Sequence, residues 1–183
     1  MTMLMDAKTL IGAPLDASGA HDGLLGDIIG GVLAEAGEFM EASILKVTAE
    51  EVYFDGGEKT LYLPHFNVSG VSVYEDGVLL ASDEYALYPG TGTSAAKIRR
   101  ETGHFPGGNR IVKVIYDGGY AENDYPTALR RKLLKQVAYE FRRRSDPGLS
   151  AVSYPDGSVQ KFAIGEWLPD VEEELLRRRR ICL

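Results

Sequence analysis

Cysteine is nearly absent from this chain: Cys182 is its only one, so no disulfide can form within it and a zinc site would have to be built without a cysteine cluster. Such a chain is expected to suit a reducing cytoplasm. Histidine is scarce as well. His21, His65 and His104 lie far apart, and none has a carboxylate or second histidine at ligand spacing. Each reads as a loop or partly buried side chain, and no metal centre is expected. The start, MTMLMDAK, has neither the basic region nor the long apolar core of a signal peptide, and the apolar run after it is interrupted by Asp27, Glu35 and Glu38. No targeting segment or membrane span is expected.

Signatures of catalysis are missing too. Gly90-Thr91-Gly92-Thr93-Ser94-Ala95-Ala96-Lys97 invites comparison with a phosphate-binding loop, but no glycine precedes the lysine, no Ser or Thr follows it, and the next residues read as strand. Asp117 to Asp124 gathers acids and amides in a glycine loop without the closing glutamate of a calcium loop. There is no Gly-x-Ser-x-Gly elbow, and Cys182 has no fixed base beside it. No catalytic chemistry and no cofactor site are legible in these residues. There are no repeats and no low-complexity linker.

What is present is a mixed chain of 183 residues, 44% hydrophobic, enough for one domain with a sizeable core and a large insertion. Its clearest element is Asp124 to Ser145. Pro126 tolerates a missing N–H in a first turn, and Asp124 is placed to accept from the orphan donors there. Leu129, Leu133, Leu134, Val137, Ala138 and Phe141 recur as one apolar stripe, with Arg130, Arg131, Lys132 and Lys135 opposite, which predicts a helix over about 126–144. An earlier helix is expected over about 22–42, capped by Asp22, with Leu24, Leu25, Ile28, Ile29, Val32, Leu33, Ala36 and Met40 on a broad apolar face. Gly26, Gly30, Gly31 and Gly37 weaken it by up to ~1 kcal/mol each, so packing must hold it. Gly26 and Gly30 also carry the spacing that lets another backbone approach, although that mechanism belongs to membrane helices. Asp6 to Ile11 reads as a short helical turn.

From about 44 to 116 the period changes to two, predicting an antiparallel sheet or small barrel inserted between those helices. Glu51 to Phe54 and Thr60 to Leu63 flank Asp55-Gly56-Gly57-Glu58, while Val71 to Glu75 and Val78 to Ala81 flank Asp76-Gly77. Both read as hairpins. Tyr85 to Tyr88, Ala96 to Arg100 and Arg110 to Tyr116 add strands. A hairpin-like loop over 151–164 surrounds Pro155-Asp156-Gly157, its arms thin on apolar residues, so that Tyr154, Pro155, Asp156 and Gly157 are expected at a partner interface. A last helix over about 169–181 begins at Pro169, with Trp167, Leu168, Val171, Leu175 and Leu176 to dock it. The fold class is α+β, a small bundle of about three helices with a β insertion.

Charge is split along the chain. Residues 1–125 hold 8 Lys and Arg against 19 Asp and Glu, a balance of −11, while residues 126–183 hold 12 against 8, or +4. That polarity favours self-assembly with a preferred orientation. The clusters Arg142, Arg143, Arg144 and Arg177, Arg178, Arg179, Arg180 sit at predicted helix ends, where dipole stabilisation alone accounts for them. Subunit salt bridging is their better functional reading, because the chain is acidic and shows no base-stacking platform.

The order RIVKVIYDGGY, YPTALRRKLLKQVAYEFRRR, the loop with SYPDG, then EWLPDVEEELLRRRR resembles the C-terminal half of tailed-bacteriophage head–tail connector proteins, the adaptor or head-completion family. The likeness covers roughly Arg110 to Arg180, with Asp22 to Ala42 as the family's early helix, and the β region from Ile44 to about Gly108 departs from its shorter members. The resemblance implies a single connector domain over 1–183 and a ring of twelve subunits in the virion neck. It also implies a portal protein on one side, a tail or stopper protein on the other, and DNA passing through without sequence-specific binding. Such a protein is made in the bacterial host cytoplasm. The resemblance implies no enzyme activity and no cofactor. Two other readings stay open: an enzyme or small-molecule binder with a site in the β region, and a nucleic-acid-binding module using the basic helix ends.

Overall fold

The computed structural model describes residues 2–12, 19–90, 94–144, 151–153, 159–161 and 167–179, with backbone alone for 151–153 and 159–161. The architecture is α+β, and the chain divides into two compact units, residues 1–33 with 125–176 and residues 34–124 with 177–183.

The first unit is helical, and two of its four described helices continue past its boundaries at residues 33 and 176. Helix α1, Met3–Ile11, is a nine-residue helix rather than a turn, because Thr2 caps it: the Met5 N–H donates to Thr2 Oγ1 at 3.4 Å. Met3, Ala7 and Ile11, four apart, are its buried face. Helix α2, Asp22–Met40, begins at Asp22, but that carboxylate pairs with Lys8 Nζ rather than serving as a cap. Leu25, Ile29, Val32 and Leu33 are buried, whereas Leu24 is 43% exposed, so the apolar face is narrower than the sequence predicts. Helix α3, Thr127–Arg143, buries the whole predicted stripe and Gln136 besides. Pro126 stands just before it with extended backbone, and no side chain caps it; Asp124 instead closes a turn, its N–H donating to Ala121 O at 2.8 Å. Helix α4, Pro169–Arg178, ends before the predicted residue 181, with Val171 and Leu175 buried and Leu176 50% exposed.

In the same unit, strands β8, Ala151–Ser153, and β9, Val159–Lys161, pair antiparallel as the predicted hairpin does. Tyr154, Pro155, Asp156 and Gly157 lie outside the described residues.

The second unit is two antiparallel sheets around one core. Its strands are β1 (Val47–Phe54), β2 (Thr60–Tyr62), β3 (Ser69–Glu75), β4 (Val78–Leu79), β5 (Tyr85–Tyr88), β6 (Lys97–Arg100) and β7 (Val112–Gly118). One sheet has the order β1-β7-β3-β4 and the other β2-β6-β5, open rather than closed into a barrel. Leu61 and Ile98 from one sheet, Leu63 just past β2, and Val73, Val112, Val114 and Tyr116 from the other sheet fill the shared core. The hairpin at Asp76-Gly77 forms as predicted, with Glu75 opposite Val78.

The hairpin predicted at 55–58 does not form. Strand β1 pairs with β7, Val52 opposite Val114, and β2 pairs with β6. The glycines there serve a crossing instead. The Gly56 N–H donates to Gly108 O at 2.8 Å and the Gly57 N–H to Phe105 O at 2.9 Å. A Cβ on Gly56 would fall 1.5 Å from Pro106 O, so only glycine lets the chain pass there from one sheet to the other. No helix among the described residues is long and apolar enough to cross a membrane.

Candidate partner interface

Helix α3 sorts its side chains by its period. Positions 129, 133, 137 and 141 turn inward, while Arg131, Lys135 and Arg142 are exposed. Three of its cations hold the helical unit together from outside. Arg130 Nη2 lies 2.6 Å from Asp6 Oδ2 on α1. Lys132 and Lys135 both donate to Asp170 Oδ2 on α4 at 2.8 Å. The bond from Lys132, and next that from Lys135, hold the Asp170 carboxyl at about 2, below its ordinary 3.8. Buried Gln136 completes the junction by accepting the Leu168 N–H at 3.0 Å and donating to Glu140 Oε1 at 3.0 Å.

Between α1 and α3 lies a groove of about 510 Å3, mostly apolar, with Leu10 and Leu134 in its wall and Thr127, Arg131 and Lys135 along it. A second hollow of about 290 Å3 shares Leu10 and Lys135 and reaches Ala138 and Arg142. Arg131 and Arg142 have no ion pair or hydrogen-bond partner among the described residues.

The predicted arginine clusters are divided by the structure. Arg143 donates to Tyr139 Oη at 2.9 Å and stacks over that ring at 5.3 Å. Arg144 donates to Phe141 O at 2.7 Å and covers the Phe141 ring at 3.9 Å. Arg142 alone of the three points away. On α4, Arg177 is exposed and Arg178 is 9% exposed. Arg179, just past the helix, donates to Glu41 Oε1 at 3.0 Å, and Arg180 lies outside the described residues. Sequence reasoning missed the groove because it read α1 as a single turn. The i, i+4, i+8 recurrence of Met3, Ala7 and Ile11 was the available signal.

In the β unit, a buried polar pair joins β7 to the segment after β2: His65 Nδ1 lies 2.8 Å from Tyr116 Oη. Burial lowers the His65 pKa and raises that of Tyr116. Each group satisfies the other in an apolar surround, and the pair works as a fastening.

No known protein family and no curated protein matches the chain by sequence. Solved structures do match its fold. A chain from the "neck of empty GTA particle computed with C6 symmetry" aligns at a TM-score of 0.65 and 15% identity, covering 98% of this chain and 90% of that one. A chain from the "virion of native gene transfer agent (GTA) particle" aligns at 0.59 and 17%, over 98% and 90%. One from the "neck of native GTA particle computed with C12 symmetry" aligns at 0.60 and 13%, over 98% and 89%. The fold of this chain is therefore shared, nearly end to end, with chains of gene transfer agent particles, two of them from necks.

Proposed function

We propose that this chain is a structural protein of a virion neck, an adaptor that assembles as a ring of twelve between the portal of the DNA-filled head and the tail or a stopper. The observation that carries the reading is the fold likeness over 98% of the chain to a chain from a GTA neck. The connector-like order of motifs from Arg110 to Arg180 supports it independently of that likeness. The C6 and C12 symmetries named for the two neck structures support a ring. A net charge of −7 suits a wall beside which DNA slides, because like charge raises the cost of phosphate contact.

In this role no bond is made or broken and no cofactor takes part. The chemistry is that of recognition between folded surfaces, and the protein resides in the virion neck after synthesis in the host cytoplasm. A particle-producing strain without this chain is expected to accumulate DNA-filled heads that lack tails or leak DNA, with tailed particles restored by complementation. Normal tailed particles from the deleted strain would overturn the reading.

A further inference from the structure

Two helical surfaces of this chain carry opposite charge. One is the groove between α1 and α3, with its apolar wall of Leu10 and Leu134 and the cation Arg131, together with the adjoining hollow that carries Arg142; neither arginine has an ion pair among the described residues. The other is on α2, which has no Lys or Arg between Asp22 and Met40. Leu24, Asp27, Gly31, Glu35 and Glu38, spaced by three and four, form one exposed stripe along that helix. The carboxylates of Asp27, Glu35 and Glu38 have no ion pair among the described residues.

We propose that the groove of one subunit receives the acidic stripe of α2 from a second copy of this chain, running antiparallel to α3, with Glu38 facing Arg131, Glu35 facing Lys135 and Asp27 facing Arg142. The spacings carry the register. Along α3 the cations are separated by four and seven residues, and along α2 in reverse the acids are separated by three and eight. At about 1.5 Å per residue the two rows miss each other by only ~1.5 Å at each step. The reverse polarity, α2 parallel to α3, aligns only two of the three pairs. Near the centre of the contact Gly31 comes opposite Ala138, beside Leu10, and a Cβ at Gly31 would meet nothing within 4 Å in its own subunit. The backbone of α2 can therefore come close to the groove wall.

A second copy is favoured over another acidic partner because this chain supplies the complementary row itself, unpaired and at matching intervals. Groove and stripe are different surfaces, so the contact is head-to-tail, the kind that closes into a ring when the rotation between subunits permits. The charges set orientation, and the apolar wall supplies burial. This inference rests on the neck reading for its setting, but not for its test.

Full-length chains carrying Cys182→Ser with either Leu10→Cys or Gly31→Cys, mixed and oxidised, are expected to give a disulfide-linked heterodimer that neither variant forms alone. Absence of the heterodimer, or dominance of Leu10–Leu10 dimers, would overturn the proposal. Separately, Arg131→Glu with Arg142→Glu should weaken self-association by about tenfold or more, with the circular-dichroism spectrum unchanged. Adding Asp27→Lys and Glu38→Lys to the same chain should restore it, and no recovery in that swapped chain would count against the register. In purified particles, cross-linking of Leu10→Cys to a different polypeptide would keep the neck reading and overturn this one. A chain that forms the heterodimer in solution but is missing from particles would overturn the neck reading alone.

Discussion

Phe141 shows how one side chain can hold a helix end. It is fully buried, the His21 ring meets its edge with centroids 5.7 Å apart, and Arg144 covers its face. Truncating it removes a large apolar volume at a place where neighbours on both sides are fixed, so the site collapses poorly. Phe141→Ala is expected to cost ~3–5 kcal/mol, read from the shift in a chemical denaturation midpoint. A loss under ~1 kcal/mol, the range of surface changes, would contradict the burial. The same residue explains why the arginine triplet could not be read from sequence. Charge at a helix end was legible at Arg142, Arg143 and Arg144, but the triplet looks uniform as letters. In the fold, Tyr139 and Phe141 engage Arg143 and Arg144 through their rings and leave Arg142 to solvent.

Among elements, α3 was legible and the partner of β1 was not, for a physical reason. The stripe of α3 repeats within one helix, so its burial follows from local period alone. The partner of β1 is chosen by residues far along the chain, and the Gly56-Gly57 pair carries the same turn chemistry whether it closes a hairpin or lets the chain cross between sheets. The groove was legible only in part: its cations were visible on α3, but its other wall needed α1 to be a full helix. The tie between α3 and α4 was not visible either. Asp170 has a depressed pKa in the fold, so its contribution is complete above about pH 4 and is lost as pH falls toward 2. Its side chain is 38% exposed, so screening keeps the effect near ~1 kcal/mol or less. Asp170→Asn is expected to lower stability by about 0.5–1 kcal/mol at pH 7, with the difference shrinking as pH falls from about 4 toward 2, measured by denaturation across that range. The β8–β9 hairpin belongs to this scale as well. Three paired residues on each arm make a ribbon that is marginal alone in water, and its predicted role is to gain support from a partner. Replacing Ser153 to Ser158 with a short Gly-Ser linker is expected to yield DNA-filled heads without tails. Infectious, tailed particles from that variant would remove the hairpin from the interface.

At the scale of the whole molecule, an acidic half and a basic half are joined in one chain, and the helical unit keeps an example of each on its surface. An assembly that uses such surfaces should be oriented more by charge and held more by apolar burial, so that salt slows its formation more than it loosens the finished contact. The strand order β1-β7-β3-β4 bears on an earlier event, the making of the chain. Strands β1 and β3 are synthesised first and do not bond to each other; β1 pairs with β7, and β3, with the two-residue β4 on its far edge, needs β7 on the other. Until residue 118 has emerged from the ribosome, the larger sheet has no centre, and two strands wait with bare edges and half-formed apolar faces. Such long-range pairing folds slowly, and waiting edges of this kind invite pairing with a neighbouring nascent chain. The arrival of β7 therefore sets how long each new chain stays open to that error.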